Sequence, residues 1–226
     1  MLYIVATPIG NLQDISFRAI ETLKKSDAII CEDTRRANIL LSHFGIKKPL
    51  LILNDFNESK EYLKVLEKLE KGETLSLISD AGTPLVSDPG YKLVREATIK
   101  KIPVDSIPGP VAAILALTLS GLPPDKFFFL GFIPEKPGQR QKTYQNLIEI
   151  SNIISTTFIF YAAPFKLQKP LEEMLQFFGD IKICLAKELT KMHQKVETKK
   201  ISEWQQTFRK TPPKGEWVML LNLACV

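Results

Sequence analysis

Short apolar runs alternate with helically spaced apolar residues over the first half of the chain. The runs are rich in leucine and β-branched residues, which is typical of buried strands. They lie at 2–7, 28–31, 50–53, 74–79 and 104–107. The segments between them predict a first helix capped by Asp14 or Ser16, then helices over 33–44, 58–71, 91–101 and 110–119. Strands that alternate with helices indicate a parallel sheet covered by helices.

The second half begins after a Gly- and Pro-rich break at 121–124 and is less regular. Its apolar pattern predicts strands at 127–132, 156–162, 182–188, 196–199 and 217–223, and helices at 143–151, 164–178 and 202–210. The segment 134–142 is polar and basic without periodicity, which predicts a mobile loop. The whole pattern predicts the α/β class with two domains, 1–115 and 116–226.

Composition excludes several classes of protein. The 226 residues are 45% hydrophobic and 24% charged, as in an ordinary globular protein and unlike a disordered one. The cysteines, Cys31, Cys184 and Cys225, are few and far apart, which excludes a disulfide framework and a paired-cysteine zinc site. No apolar run reaches membrane-spanning length, and the apolar N-terminus has no basic leader. We therefore expect a cytoplasmic protein without a metal site.

The net charge of +5 is unevenly distributed. Residues 1–113 hold fifteen basic and fifteen acidic side chains, so the whole excess lies after them. A one-sided basic excess is compatible with a polyanionic partner. A lysine-rich composition kept for solubility explains it as well, and charge alone favours that interpretation.

Four turns at strand ends hold small, rigid or polar residues. They are Thr7–Asn11, Cys31–Arg36, Ser79–Gly90 and Ile107–Ala113. In open α/β sheets, ligands bind at the carboxyl ends of strands, so a site is expected here. Taken singly, the first two are explained by a plain turn and by a helix cap. The third has twelve residues with two Gly, two Pro and two Asp, whereas an ordinary connection needs about 2–6 residues, so it favours function.

These stretches together resemble the tetrapyrrole methylase superfamily of S-adenosylmethionine-dependent methyltransferases. Within it they are most similar to the ribose 2′-O-methylases that act on a cytidine of bacterial 16S rRNA. The similarity spans nearly the whole chain. The matching stretches are ATPIGNLQDISFRA (6–19), CEDTR (31–35), SDAGTPLVSDPGYKLVR (79–95), PGP (108–110), SGLPPDKFFFLGFIP (120–134) and KELTKMH (187–193).

The resemblance implies two α/β domains of tetrapyrrole methylase type with the cofactor cleft between them. It also implies S-adenosyl-L-methionine as cofactor, S-adenosyl-L-homocysteine as product, a homodimer, and 16S rRNA or the small ribosomal subunit as substrate. The residues expected to bind the cofactor are Pro8, Gly82, Thr83, Pro84, Val86, Val111, Ala112, Tyr161, Ala162, Ala186 and Lys187.

Methyl transfer from a sulfonium is an in-line displacement, so the protein mainly aligns the reacting atoms. A ribose hydroxyl is a poor nucleophile, and a base or a cation near its oxygen should help. The catalytic candidates are Glu32, Asp33, Lys187 and Glu188. The candidates for binding RNA are Asn11, Arg35, Arg36, Lys136, Arg140 and Lys191. For any single cation, a solvated surface charge is the simpler interpretation.

Further lysines extend this set, because Lys187, Lys191, Lys195 and Lys199 recur every four residues and could share one face. Lys142 lies in the expected loop, and Tyr161 and Phe165 could stack on a base. Phe165 is equally well a core residue of a helix.

The chain departs from the family at three places. It has FYAAPFK at 160–166 where the family has Phe-Tyr-Glu-Ser-Pro-His-Arg, and Gln194 where an acid is usual. Family members also continue past the last strand into a small helical region. These departures bear on substrate identity more than on cofactor binding. They leave open two alternatives, a small-molecule methylase of the same fold and a non-catalytic, cofactor-binding protein of the ribosome.

Overall fold

The structure is a computed structural model that describes residues 1–224. The chain forms two compact units, Met1–Val111 and a second that starts at Ala112. The sequence predicted a boundary between 115 and 116, which falls inside the helix Ala112–Ser120. That helix packs on the strands of the second unit, so the division comes before it.

The first unit contains five parallel strands joined by four helices. In chain order they are β1 (Leu2–Val5), α1 (Phe17–Lys25), β2 (Ala28–Cys31), α2 (Thr34–His43), β3 (Leu50–Ile52), α3 (Glu58–Glu70), β4 (Leu75–Leu77), α4 (Tyr91–Ile99) and β5 (Val104–Ile107). The sheet has the order β3-β2-β4-β1-β5. All of its pairings are parallel, so every strand ends at the same edge, called here the carboxyl edge. The predicted alternation of strands and helices is confirmed.

Helices cover both faces of this sheet. On one face α3 and α4 pack against Leu2, Ile30 and Leu77, and on the other α1 and α2 pack against Val5 and Ile29. Ile29 and Ile30 are neighbours in β2 and point to opposite faces, as strand geometry requires. Each fully buried side chain of this kind contributes about 1.5–3 kcal/mol.

Side chains at the carboxyl edge start two of these helices. Ser16 Oγ accepts a hydrogen bond from Ala19 N at 3.1 Å and caps α1. Asp33 Oδ1 accepts one from Arg35 N at 2.8 Å and caps α2. Both caps satisfy backbone donors that a helix start leaves free, which fixes where each helix begins.

Over residues 112–224, the second unit contains a mixed sheet and four α-helices. In chain order they are α5 (Ala112–Ser120), β6 (Phe127–Phe132), α6 (Pro137–Ile153), β7 (Thr157–Ala162), α7 (Gln168–Phe178), β8 (Lys182–Lys187), β9 (Lys195–Lys200), α8 (Ile201–Lys210) and β10 (Trp217–Leu221). The sheet has the order β6-β7-β10-β8-β9. Strand β6 pairs parallel with β7, and the other pairings are antiparallel. One core holds Phe158, Phe160, Leu185 and Trp204.

The prediction of a mobile loop at 134–142 is wrong. Helix α6 begins at Pro137, a residue suited to a first helical position because it needs no hydrogen-bond acceptor for its nitrogen. Arg140 lies in the first turn and is buried. Its Nε and Nη2 atoms lie 2.6 and 2.8 Å from the two carboxylate oxygens of Glu173 in α7. A bidentate pair of this kind orders the segment that the sequence pattern left without structure.

No helix among residues 1–224 is long and apolar enough to cross a membrane. Cys31 and Cys184 are free and buried, and Cys225 lies outside the described residues.

Candidate functional site

Three turns at the carboxyl edge of the first sheet are hydrogen-bonded to one another. Thr7 N donates to Gly82 O at 2.8 Å and Gly82 N returns a bond to Thr7 O at 3.1 Å. Thr83 Oγ1 donates to Pro110 O at 3.0 Å. The turns after β1, β4 and β5 therefore form one assembly, called here the joined turns.

The middle turn has an unusual backbone. Gly82 has a φ of +91°, and a Cβ there would lie 3.2 Å from Ile9 Cγ2 and 3.4 Å from Pro110 O. Leu85 and Ser87 also have positive φ values, of 73° and 69°. Left-handed backbone at residues other than glycine costs about 1–3 kcal/mol and occurs most often where a ligand is held.

The joined turns bring together five of the residues expected to bind the cofactor. They are Pro8, Gly82, Thr83, Pro84 and Val86. Val111 ends the first unit directly after the third turn, and Ala112 begins the second. The edge also holds the half-buried carboxylates of Asp80 and Asp88. Such groups suit a cationic ligand, so the residues present fit a sulfonium cofactor.

Glu32 stands beside these turns, directly after β2. Its Oε1 accepts a hydrogen bond from Asp80 N at 3.4 Å. Burial, aided by the charge of Asp88, raises the pKa of Glu32 to about 7. A carboxylate with a pKa near neutrality can accept a proton at physiological pH and later release it.

Asp88 lies near the end of the same turn and was not among the site residues predicted from the sequence. Burial raises its pKa to about 6, with smaller contributions from the charges of Asp80 and Asp55, while a hydrogen bond from Ser79 opposes the rise. The signal available in the sequence was a pair of aspartates inside a stiff turn. Among residues 1–224, no group of His, Cys, Asp or Glu side chains has an arrangement that could hold a metal ion.

Asp33 is an unsuitable base although it neighbours Glu32. Hydrogen bonds from Arg35 lower its pKa to about 2, so it is ionised and holds a proton poorly. Arg35 Nη2 lies 2.6 Å from its carboxylate, and Arg36 Nε lies 3.4 Å from Asp80 Oδ2. Both arginines are exposed. Exposed ion pairs are weak, so phosphate can compete for these guanidinium groups.

Asn11, the other candidate for binding RNA in this unit, is exposed after β1. Its Oδ1 accepts a hydrogen bond from Gln13 N at 3.0 Å and caps a short 3-10 turn at Leu12–Asp14.

In the second unit, the residues expected around the adenine lie on opposite faces of the sheet. Tyr161 and Ala186 are both paired with Val218 and lie in one row across three strands. Ala162 and Lys187 are both paired with Trp217, and they lie on the other face, toward the core and α8. The Lys187 ammonium lies 5.5 Å from the centre of the Trp217 ring. The structure thus brings Tyr161 and Ala186 together and separates Lys187 from them.

Two phenylalanines that the sequence did not indicate flank Tyr161. The ring of Phe129 lies 4.8 Å from it and that of Phe132 5.5 Å from it, both at steep angles. The register of β6 shifts between these residues, at Gly131, which has a φ of +67°. This irregularity turns both rings toward the same face, and a glycine inside an apolar strand was its sequence signal.

Glu188 and Lys191 are hydrogen-bonded to each other and to Glu216 in the turn after β8, and their expected catalytic and RNA-binding roles stay predictions. Glu188 Oε1 accepts hydrogen bonds from Glu216 N at 2.8 Å and from Lys191 Nζ at 3.1 Å, and Lys191 Nζ also donates to Glu216 Oε2 at 2.8 Å. The bond from Glu216 N is the main cause that lowers the pKa of Glu188. A carboxylate with these partners is a poor base, and the Lys191 ammonium is already paired.

The turn after β8 also shows why glutamine can replace the usual acid at position 194. Its Oε1 accepts a hydrogen bond from Thr190 N at 2.6 Å. A carboxylate oxygen of the usual acid would meet the same requirement. The amide therefore keeps the acceptor and removes a negative charge from the turn.

The other candidate RNA-binding cations differ in their exposure and in their ion-pair partners. Lys136 is exposed at the start of α6. Arg140, expected to bind phosphate, is committed to Glu173 inside the second unit. Lys195 and Lys199 share a face of β9 and both pair with Glu197, at 2.9 and 3.3 Å. Lys187 is paired with Lys195 across β8 and β9, so three lysines of the expected row of four, Lys187, Lys195 and Lys199, lie on one face of the sheet, and Lys191 lies in the turn between the strands. Phe165 is exposed, so it is not a core residue.

Comparison with solved structures places this architecture in a known fold. A crystal structure of diphthine synthase superposes with a TM-score of 0.75, covering 98% of this chain and 88% of that one. The sequences are 15% identical, so this likeness concerns the fold alone.

Sequence comparison is more specific. The chain is 41% identical to the ribosomal RNA small subunit methyltransferase I of Thermotoga maritima, over 98% of this chain and 97% of the relative. It is 44% identical to the protein of the same name from Haemophilus influenzae, over 98% of this chain and 78% of the relative. The family model of the tetrapyrrole (corrin/porphyrin) methylases matches residues 1–205. The chain therefore belongs to the tetrapyrrole methylase family.

Proposed function

We propose that the protein is an S-adenosyl-L-methionine-dependent methyltransferase that modifies the ribose 2′-oxygen of a cytidine in 16S rRNA. The observation that carries the proposal is the half-buried Glu32 carboxylate beside the joined turns. The names of the relatives support an rRNA substrate, and the family supports the cofactor. S-adenosyl-L-homocysteine is the expected product.

The joined turns would hold the cofactor largely through backbone groups. When bound, the cofactor supplies an electrophilic methyl group on a sulfonium. The preformed turns limit the loss of conformational entropy on binding and fix the direction of attack. Tyr161 and Ala186 lie in one row across three strands and would flank the adenine, and Phe129 and Phe132 stand against the tyrosine ring.

Glu32 is the best placed base for the ribose hydroxyl. Its carboxylate would accept the hydroxyl proton as the ribose oxygen bonds to the methyl carbon and the carbon–sulfur bond breaks, which leaves the electron pair on the sulfur of S-adenosyl-L-homocysteine; the proton would then pass to solvent. Asp33 and Glu188 are less suitable because hydrogen bonds keep their pKa values low. General-base assistance of this kind contributes about 10²–10⁴-fold to a rate.

The test is transfer of labelled methyl to small ribosomal subunits that lack the modification, followed by mapping of the modified nucleotide. We expect a 2′-O-methylated cytidine and a loss of at least about a hundredfold in kcat for Glu32→Gln. Glu67→Gln, an exposed change on α3, is the matched control and should retain full activity. Absence of transfer by the wild-type protein would refute the proposal.

We further infer a cytoplasmic homodimer. Strand β6 lies at the edge of the second sheet and exposes Phe127, Phe128, Leu130 and Phe132. An exposed apolar edge strand favours association with another chain. Light scattering should give the mass of two chains, and Phe128→Lys should shift it toward one.

A further inference from the structure

The aromatic residues of the first unit are unevenly placed. There are six, and Tyr3, Phe44 and Tyr62 are half-buried. The other three, Phe17, Phe56 and Tyr91, are 90%, 98% and 68% exposed. Each exposed one follows the carboxyl end of a strand, where the candidate site lies. Single exposed apolar residues need no explanation, but confinement of all three to one edge does.

Phe56 and Tyr91 are held near each other by Glu58. Its Oε1 accepts hydrogen bonds from Gly90 N at 3.0 Å and from Lys92 N at 3.2 Å, the residues on either side of Tyr91. Phe56 precedes Glu58 by two residues. The start of α3 is thereby tied to the start of α4. Phe56 and Tyr91 are called here the aromatic pair.

The backbone that presents Phe56 is ordered. Asn54 Oδ1 accepts a hydrogen bond from Phe56 N at 3.2 Å, and Asn57 Oδ1 accepts one from Asn54 N at 2.8 Å. Asn57 Nδ2 also donates to Ile52 O at 3.2 Å, which anchors the turn to the end of β3. A ring held outward on an ordered turn loses little further freedom when a flat partner stacks on it.

Exposed lysines stand beside the pair, together with the carboxylates of Asp55 and Glu58. Lys60 and Lys92 are exposed, and neither forms an ion pair with any side chain among residues 1–224. The pair is also continuous with the candidate site, because Asp55, next to Phe56, contributes to raising the pKa of Glu32 and of Asp88.

From this arrangement we propose that Phe56 and Tyr91 stack on unpaired bases of the rRNA substrate, while Lys60 and Lys92 contact its phosphates. Exposed aromatic rings beside lysines are the chemistry with which proteins bind single-stranded RNA. The pair holds the segment that flanks the modified ribose and so positions its hydroxyl at Glu32. This inference rests on the proposed rRNA substrate and adds the residues that grip it.

The test measures binding first, since binding does not require turnover. Filter binding to protein-free 16S rRNA should show an affinity about tenfold weaker for Phe56→Ala and for Tyr91→Ala. Phe56→Trp and Tyr91→Phe keep the rings and should bind like the wild type. Ile99→Ala removes an exposed apolar side chain at the far end of α4 and is the control.

Salt dependence separates the rings from the lysines. Lys60→Ala and Lys92→Ala should each flatten the plot of log affinity against log salt by about 0.7. The two ring variants should weaken binding without changing that slope, because they carry no charge.

Catalytic measurements then distinguish failure of this inference from failure of the proposed function. We expect the KM for small subunits to rise about tenfold in the ring variants, with S-adenosylmethionine affinity unchanged. Unaltered RNA affinity in both alanine variants would overturn the inference, whether or not the wild type transfers methyl. Weaker RNA binding without any methyl transfer would uphold it and count against the proposed reaction.

Discussion

Gly109 has no room for a side chain. A Cβ at this position would lie 2.7 Å from Ala6 Cβ, so the turn after β5 would have to move away from the end of β1. We expect Gly109→Ala to destabilise the protein by about 1–3 kcal/mol in chemical denaturation, because the packing leaves no space.

Two further variants make that expectation specific. Ala6→Gly combined with Gly109→Ala removes the opposing methyl group and should recover most of the loss. Gly138→Ala, in helix α6 with no atom within 4 Å of the new Cβ, should be neutral or stabilise by up to about 1 kcal/mol. A double variant as unstable as the single one would show that the clash is not the cause.

Glu32 makes the stability of the fold depend on pH. Its pKa rises from 4.5 to about 7 on folding, so the folded chain binds this proton more tightly than the unfolded chain. The free energy of unfolding therefore falls as pH increases between these two values.

Replacing Glu32 should reverse that loss. Above pH 7, Glu32→Gln should be more stable than the wild type by roughly 1 kcal/mol, since one pKa unit is worth about 1.4 kcal/mol and partial exposure screens part of it. Thermal melts at pH 4.5 and pH 8 test this, and the difference should vanish at the lower pH. A gain in stability joined to a loss of activity is the signature of a functional carboxylate.

At the scale of elements, helix α6 depends on one buried ion pair. Arg140 and Glu173 form two hydrogen bonds across α6 and α7, and the guanidinium also bonds the backbone oxygens of Pro134 and Glu135. Removing one partner leaves an uncompensated buried charge, so Glu173→Ala should cost about 3–5 kcal/mol.

The same pair predicts acid sensitivity. The guanidinium of Arg140 lowers the pKa of Glu173, so its stabilisation is present above the ordinary pKa of a glutamate and is lost as pH falls through the lowered one. Denaturation at decreasing pH should show this loss in the wild type and less of it in Glu173→Leu with Arg140→Met. Lys142→Ala, an exposed change on the same helix, should leave the acid sensitivity intact.

The secondary-structure elements show how much of the fold can be predicted from local sequence patterns. Strands such as Ala28–Cys31 and helices such as α2 were predictable because their apolar spacing and caps are local properties. The start of α6 was not predictable from its own sequence. An arginine there is expected to be exposed, and its buried partner Glu173 lies thirty-three residues later, in α7. The bulge in β6 depends likewise on its pairing with β7.

The same distinction between local and long-range features applies to the candidate site. The joined turns were predictable because Gly, Pro and Thr gather at three strand ends. The placement of Ala162 and Lys187 away from Tyr161 follows from strand alternation, since neighbours in a strand face opposite sides. The aromatic pair could not be predicted, because the segments that carry Phe56 and Tyr91 are joined only by the hydrogen bonds of Glu58.

At the scale of the whole molecule, the lysines of the basic second half differ in whether a carboxylate lies close to them. Lys191, Lys195 and Lys199 all have carboxylate partners, so their charges are partly neutralised. Lys136→Ala should therefore flatten the salt dependence of RNA affinity by about 0.7, whereas Lys191→Ala should change it little. An equal effect of the two, measured by filter binding over a series of salt concentrations, would contradict this assignment.

The division after Val111 bears on how the protein is made. The sheet of the first unit uses only residues up to Ile107, and its last strand, β5, joins at an edge beside β1. The other four strands are thus complete before β5 leaves the ribosome, and β5 adds without displacing any of them. Bacterial chains grow at about 5–20 residues per second, and an N-terminal domain commonly folds during synthesis. The unit that carries the joined turns can therefore form while the second unit is still being translated.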